Sequence, residues 1–117
     1  MILIIGGAFQ GKLDFAKNAF SLTDEQICDC KKDTDLSKQC IYHFEQYILD
    51  CIRNDKPVDF TPGEKQIIIC EDIFCGVVPI DPVMRKWREE TGRICAKLSK
   101  ESDKVYRIFC GLEQQIK

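Results

Sequence analysis

The first thirteen residues, MILIIGGAFQGKL, decide the predicted fold. Met1–Ile5 is an unbroken apolar run, which is typical of a strand that is buried on both faces of a sheet. Gly6 and Gly7 end this run, because glycine readily adopts the backbone conformations of a tight turn. From Lys12 onward the apolar residues recur at helical spacing. The stretch therefore predicts a strand, a glycine turn and a helix in direct succession.

Strand-like and helix-like stretches alternate along the rest of the chain. Helices are predicted over Lys12–Phe20, Asp35–Arg53 and Pro82–Leu98, and further strands over Gln26–Asp29, Gln66–Cys70 and Lys104–Cys110. Gly111 is predicted to turn the last strand into a short antiparallel tail that ends at Ile116. This alternation predicts an α/β fold in which helices flank a mostly parallel sheet, with a short antiparallel C-terminal strand.

The helix over Asp35–Arg53 is predicted from its apolar stripe, with Asp35 as the N-cap. The stripe consists of Ile41, Phe44, Ile48 and Ile52. The last helix begins at Asp81-Pro82, a capping residue followed by proline at the first helical position. With 117 residues in all, the chain is expected to form one domain over 1–117.

Composition excludes several classes of protein. Seventeen Lys and Arg residues against nineteen Asp and Glu residues give a net charge of −2, which argues against general nucleic-acid binding. The longest apolar runs, Ile2–Ile5 and Ile67–Cys70, are too short to span a membrane. The N-terminus has no positively charged flank and no cleavage site of a signal peptide. We therefore expect a cytoplasmic protein without a membrane span.

Eight cysteines in so short a chain suggest either a disulfide framework, a metal site or buried thiols. Reduced thiols are expected in the cytoplasm. Cys40, Cys51 and Cys70 occur where a small buried hydrophobic residue belongs, so structural thiols are the favoured interpretation. The one close pair, Cys28 and Cys30, has no second pair at the spacing of a zinc site. A metal-binding thiol protein remains the weakest alternative.

The turn after the first strand fits a phosphate-binding loop. Gly6 to Lys12 match G-x-x-x-x-G-K, and Leu13 stands where this motif has Ser or Thr. Such a loop curls its backbone N–H groups around an oxyanion, and lysine reaches the outer phosphates. The candidate nucleotide-binding residues are Gly6, Gly7, Ala8, Phe9, Gln10, Gly11, Lys12 and Leu13. A turn that binds nothing is the alternative.

Three further groups of residues are candidates for the site. Glu71 and Asp72 follow a strand at its carboxyl end, where they could bind Mg²⁺ or substrate or only cap the next loop. Arg85 and Arg88 lie three apart on one helical face and could bind phosphates, whereas ordinary surface ion pairs would explain most nearby charges. His43, the only histidine, is predicted on the 35–53 helix, turned away from its apolar stripe.

These features together resemble one family. Four segments carry the resemblance, in this order along the chain. They are Ile4–Ala8 with Gly11-Lys12, then Glu71–Pro79, then Arg85, Arg88, Gly92 and Arg93, and finally Asp103–Tyr106 with Gly111. They are similar to the bifunctional adenosylcobinamide kinase and adenosylcobinamide-phosphate guanylyltransferase of cobalamin biosynthesis. The resemblance covers roughly residues 1–20 and 66–117.

The resemblance implies an enzyme with two reactions. A nucleoside triphosphate, GTP or ATP with Mg²⁺, phosphorylates a corrinoid, and a guanylyl group then moves through a histidine onto that phosphate. Lys12, Asp72 and His43 become candidate catalytic residues. The candidate contacts to substrate or phosphate are Glu71, Arg85, Arg88 and Arg93. The candidate metal ligands are Asp72 and Glu71. The family also implies a homo-oligomer.

The chain departs from the family in its phosphate loop and in the region after its first helix, among other positions. Leu13 replaces the hydroxyl that binds the metal, and the region after the first helix is shorter than in the family. These departures favour the alternative function, a P-loop nucleotide-binding module that has lost transferase activity.

Overall fold

The computed structural model describes residues 1–117. It consists of a six-stranded sheet and three α-helices. Strands β1 to β6 lie at Ile2–Gly6, Ile27–Asp29, Cys40–Tyr42, Ile67–Glu71, Lys104–Phe109 and Leu112–Gln115, and helices α1 to α3 at Lys12–Phe20, Phe44–Arg53 and Pro82–Glu101. The strand order is β2-β3-β4-β1-β5-β6. Only β5 and β6 pair antiparallel; the other neighbours are parallel. The predicted α/β class and its antiparallel C-terminal strand are confirmed.

The helices cover both faces of the sheet. Side chains of successive strand residues point to opposite faces, so β1 and β4 contribute to two separate hydrophobic clusters. Leu3 and Ile68 pack with side chains of α2 and α3, whereas Ile4 and Ile69 pack with Ala16 of α1. Apart from Glu71 at the end of β4, these two strands hold no polar side chain, because both of their faces are buried.

Most predicted elements are present with small changes at their ends. Helix α1 has the predicted bounds, and the short strand predicted near Gln26 is β2. Helix α3 starts as predicted, with the Asp81 carboxylate accepting a hydrogen bond from Val83 N at 2.8 Å, and it continues to Glu101. None of the three helices is long and apolar enough to cross a membrane.

The predicted helix over Asp35–Arg53 is wrong in its first half. Residues 40–42 form β3, which pairs with β2 and β4, and the helix begins only at Phe44. Ile41 fits the helical stripe by spacing, but it is buried as a strand residue in the sheet. Asp35 accepts hydrogen bonds from Ser37 in a turn and caps no helix. Parallel pairing with distant strands thus outweighs the local helical pattern.

Gly6 is the last residue of β1 and pairs with Ile108 of β5. A Cβ atom at Gly6 would be 2.6 Å from the backbone oxygen of Ile108, whereas at Gly7 the nearest atom to a Cβ would be Gln10 Cγ at 3.5 Å. A side chain at position 6 would therefore collide with the backbone of β5, so the chain needs glycine where the loop leaves the sheet.

We expect Gly6→Ala to lower the free energy of unfolding by about 2 kcal/mol, because the backbone of two paired strands must shift to admit the methyl group. Gly7→Ala is the matched control and should cost much less, since its methyl group meets only ordinary contacts. Urea unfolding followed by circular dichroism measures both variants. Equal unfolding midpoints for the two variants would contradict the role of close approach at Gly6.

Candidate functional site

The loop between β1 and α1 forms one wall of the candidate site. Gly11 precedes the helix as its N-cap with φ 90°, in the left-handed region that favours glycine. No side chain caps the start of α1, so the loop and the first turn leave backbone N–H groups available to a ligand. Phe9 also has a positive φ, 55°, and its ring is fully exposed.

Lys12 is held inside this loop. It is only 5% exposed, and its Nζ donates a hydrogen bond to Gly7 O at 2.5 Å. Burial lowers the pKa of Lys12, while the carboxylates of Glu71 and Glu45 act in the opposite direction. The ammonium group therefore lies against the concave side of the loop, where an incoming phosphate oxygen could replace the carbonyl as its partner.

The β5–β6 turn holds the loop from the other side. Gly111 N donates to Gln10 O at 2.9 Å, and Cys110 N donates to the side-chain oxygen of Gln10 at 2.5 Å. These bonds join residues a hundred positions apart. Sequence reasoning placed Gln10 in the loop but did not identify the turn that supports it.

One cavity brings the loop and His43 together. It has a volume of about 250 Å³ and is lined by Phe9, Gln10, Gly11, Lys12, Leu13, Asp14, Lys31, Tyr42, His43 and Glu71. Lys31 and Tyr42 were not predicted as site residues. They join the cavity because β2 and β3 end at the same edge of the parallel sheet as β1.

The prediction that His43 lies on a helix face is wrong. His43 is the N-cap of α2 with φ 56°, and its side chain is only 14% exposed. Its ring packs on the ring of Tyr42 with centroids 3.7 Å apart, and Nδ1 is 2.8 Å from Asp29 Oδ1. The break between β3 and α2 turns this residue toward the cavity, which no helical periodicity could show.

Glu71 and Asp72 occupy the predicted place at the end of β4. Glu71 lines the cavity, and its backbone N donates to the Glu45 carboxylate at 3.0 Å. Asp72 N donates to Gly6 O at 2.9 Å, which ties this corner to the start of the loop. The Oδ1 atom of Asp72 is buried and has no hydrogen-bond partner. A buried oxygen without a partner is available to a ligand or a cation.

The three predicted arginines line one groove, which is distinct from the loop cavity. Arg85, Arg88 and Arg93 line a groove of about 810 Å³ on α3, and this groove shares no residue with the loop cavity. Arg88 donates from Nη2 to Gly76 O at 2.8 Å, and its Nη1 is buried without a partner. Arg93 pairs with Glu90 at 3.1 Å.

The cysteines form no metal cluster. Six of them are buried, and Cys75 and Cys110 are exposed. Burial raises the pKa of Cys40 to about 12, so this thiol stays protonated at neutral pH. No group of three or more His, Cys, Asp or Glu side chains is arranged to hold a metal ion.

Comparison with protein-family models identifies the family. The model of cobinamide kinase / cobinamide phosphate guanyltransferase matches residues 53–116. The chain belongs to this family. Membership confirms the predicted resemblance and supports a role in cobalamin biosynthesis. The family is one of kinases and guanylyltransferases that use nucleoside triphosphates. A search of curated proteins finds no match to the chain.

The match to the cobinamide kinase / guanyltransferase family covers only part of the candidate site. Glu71, Asp72 and the three arginines of α3 lie within the matched residues. The loop from Gly6 to Leu13 and His43 lie outside them. The case for the loop and for His43 therefore rests on their own geometry.

Glu45 is the buried carboxylate beside this site, with 1% of its surface exposed. Burial raises the pKa of Glu45 above its ordinary value of 4.5, although the hydrogen bond from Glu71 N lowers this pKa in part. A raised pKa in the folded state means that the folded protein binds this proton more tightly than the unfolded chain does. The contribution of Glu45 to stability is thus complete below pH 4.5 and is lost as pH rises through the folded-state pKa.

We expect Glu45→Gln to remove this loss. Relative to the wild type, the variant should gain stability as pH rises above 4.5, by at most about 1.4 kcal/mol per pH unit. Urea unfolding at a series of pH values measures the difference. Glu25→Gln, at an exposed position, is the control and should show no such trend. Parallel curves for wild type and Glu45→Gln would refute the assignment.

Proposed function

We propose that this chain binds a nucleoside triphosphate on the loop Gly6–Leu13 and catalyses both reactions of its family. In the first, the phosphoryl group moves to a hydroxyl of cobinamide, and in the second a guanylyl group moves through His43 to the new phosphate. The supporting observation is that the loop, Lys12 and His43 line one cavity. We further propose that residues 1–117 act as a single nucleotide-binding domain, since all of their strands join one sheet.

The loop supplies charge stabilisation for phosphates. Backbone N–H groups of the loop and of the first turn of α1 present partial positive charge toward the cavity. Lys12 adds a full positive charge that is already oriented by Gly7 O. Phosphoryl transfer depends mainly on positioning and on stabilising charge on the phosphate oxygens, which these groups provide.

In the kinase reaction, an oxygen of the substrate hydroxyl forms a bond to the γ-phosphorus of GTP or ATP. The bond from that phosphorus to the β-phosphate bridging oxygen breaks, the nucleoside diphosphate leaves, and the hydroxyl proton is released to solvent. Lys12 is placed to neutralise charge on the outer phosphates during this exchange. Either GTP or ATP can donate this phosphoryl group, and GTP is required only by the guanylyl step.

Glu71 and Asp72 fit the needs of Mg²⁺. The ion commonly binds one or two protein carboxylates and completes its shell with water and substrate phosphates. Asp72 Oδ1 is buried without a partner, and Glu71 lines the loop cavity. When bound, Mg²⁺ would supply further charge neutralisation at the phosphates. Leu13 cannot serve as a ligand, so these two carboxylates are the proposed holders of the ion.

His43 is the proposed acceptor of the guanylyl group. A ring nitrogen forms a bond to the α-phosphorus of GTP, and the bond to the β-phosphate bridging oxygen breaks to release pyrophosphate. An oxygen of cobinamide phosphate then attacks the same phosphorus, and the bond from phosphorus to His43 breaks. The protein thereby returns to its starting form.

The groove on α3 is the proposed contact for further phosphate groups. Arg85 is exposed there, and Arg88 Nη1 lacks a partner, so both can donate to phosphate oxygens. Arg93 would have to leave Glu90 to do the same. Because this groove is separate from the loop cavity, it fits substrate phosphate better than the triphosphate of the nucleotide.

The alternative is a non-catalytic nucleotide-binding module. Leu13 favours it, because the hydroxyl that normally helps to hold Mg²⁺ is missing. This alternative shares the loop and Lys12 with the first proposal but requires no transfer to His43. The two are separated by whether bound nucleotide is turned over.

We expect Lys12→Met to abolish nucleotide binding without loss of the fold. Methionine fills a similar volume and removes a buried charge, so the unfolding temperature of the free protein should change by no more than about 2 °C. For the wild type, GTP at a hundred times its Kd should add about 2.7 kcal/mol of stability. Thermal unfolding with and without GTP and Mg²⁺ measures both effects. A nucleotide-induced shift that persists in Lys12→Met would refute the loop as the binding site.

We expect His43→Asn to separate the two reactions. Asparagine tolerates the positive φ at this position, so it replaces the imidazole with little backbone strain. With adenosylcobinamide, GTP and Mg²⁺, the variant should form phosphorylated cobinamide within about twofold of the wild-type rate. It should take no stable label from α-labelled GTP.

Chromatography of the products and counting of protein-bound label measure these outcomes. Undiminished label in His43→Asn would exclude His43 as acceptor. A wild-type protein whose stability responds to GTP but which forms no product would support the non-catalytic module instead.

A further inference from the structure

We propose that Asp29 is a positioning residue for His43: its carboxylate holds the imidazole with the proton on Nδ1, so that Nε2 faces the nucleotide as the attacking atom. This inference rests on the proposed function of His43. It assigns which nitrogen reacts and which side chain prepares it.

The strand register brings the two residues together. Asp29 is the last residue of β2 and pairs with Tyr42, the last residue of β3, and His43 follows directly. Nδ1 of His43 lies 2.8 Å from Asp29 Oδ1, a normal hydrogen-bond distance. The same oxygen accepts a hydrogen bond from Lys31 N at 3.0 Å, which fixes the carboxylate in the turn after β2.

The charge state of Asp29 determines the direction of this hydrogen bond. Burial by itself would raise the pKa of Asp29, but hydrogen bonds from His43 and Lys31 N outweigh it and leave the pKa lowered. The carboxylate is therefore ionised at neutral pH and can only accept hydrogen bonds. Nδ1 must donate, and Nε2 of the neutral ring keeps its lone pair.

Two further restraints limit movement of the ring. It packs on Tyr42 at a centroid distance of 3.7 Å, and the backbone of His43 is fixed between a strand and a helix. The residue also lines the loop cavity. A ring anchored through Nδ1 presents its opposite nitrogen, so the atom free to meet the α-phosphate is Nε2.

The negative charge of the Asp29 carboxylate beside Nδ1–H also helps the reaction. When Nε2 forms its bond to the α-phosphorus and pyrophosphate departs, the proton stays on Nδ1 and the ring becomes positively charged. Asp29 stabilises that charge, in the way that a carboxylate stabilises the imidazolium in hydrolase triads. When the phosphate of cobinamide takes the guanylyl group, the bond from phosphorus to Nε2 breaks and the ring is again neutral with its proton on Nδ1.

The single histidine makes the first test direct. In tag-free protein labelled with ¹⁵N at histidine, every imidazole signal comes from His43. At about pH 8, where an ordinary imidazole is neutral, proton–nitrogen spectra show which nitrogen carries the proton. We expect the proton on Nδ1 in the wild type and loss of this preference in Asp29→Ala.

The second test measures the rate of guanylylation in a single turnover with α-labelled GTP. Asp29→Ala should lower this rate about 10²-fold at saturating GTP. Asp29→Asn should lower it about 10-fold, because the amide oxygen can still accept both hydrogen bonds but carries no charge. The GTP concentration for half-saturation should change by less than about twofold in both, because neither variant alters the phosphate loop.

Asp33→Asn is the matched control. Asp33 accepts backbone hydrogen bonds from Thr34 and Asp35 in the same turn region but does not contact His43. The Asp33→Asn variant should be guanylylated at the wild-type rate. If Asp29→Ala does not fold, Asp29→Asn carries both tests.

The outcomes separate this inference from the proposed function. A proton on Nε2 in the wild type, or labelling of both Asp29 variants within about twofold of the wild type, would overturn the role of Asp29. Protonated Nδ1 in a wild-type protein that takes no label would instead overturn transfer through His43, and would support the orientation of the ring by Asp29.

Discussion

Parallel pairing of five strands is the constraint on which the rest of this structure depends. It directs the carboxyl ends of β1 to β4 toward one edge of the sheet, and each end delivers a different part of the candidate site. The end of β1 leads into the loop Gly6–Leu13, β4 ends at Glu71, β2 ends at Asp29, and His43 follows the end of β3. The loop, His43 and Glu71 therefore line a single cavity although they are far apart in the chain, and Asp29 bonds to His43.

The site combines charges that burial makes costly with partners that offset the cost. Lys12 is buried against the Gly7 carbonyl, and the carboxylates of Glu71 and Glu45 favour its charged form. Glu45 in turn accepts from Glu71 N, and its own backbone oxygen accepts from the Trp87 indole at 2.7 Å. Helix α2, helix α3 and strand β4 are thereby joined just behind the loop. An arrangement of this kind is ready to receive an anion, because the cation is in place before the ligand arrives.

Family membership and site geometry support different halves of the functional proposal. The family match covers β4, α3 and the C-terminal strands, and so includes the carboxylates and arginines predicted to contact substrate. The loop and His43 are supported by their shared cavity, and by bonds that fasten Gln10 to the β5–β6 turn. Both halves meet at β4, where Asp72 N bonds to Gly6 O. The two lines of support are thus independent and meet at this corner of the sheet.

The sequence by itself determined the fold class, the loop Gly6–Leu13, the two carboxylates at the end of β4 and the bounds of α1, because continuous apolar runs, glycines and capping residues act locally. Only the tertiary structure decided that residues 40–42 form a strand, that His43 caps α2 and faces the loop, and that Asp29 holds its ring. The spacing of Ile41 and Phe44 suits a helix equally well, and nothing local distinguishes the two. The hydrogen bonds that choose the strand come from β2 and β4, which lie elsewhere in the chain.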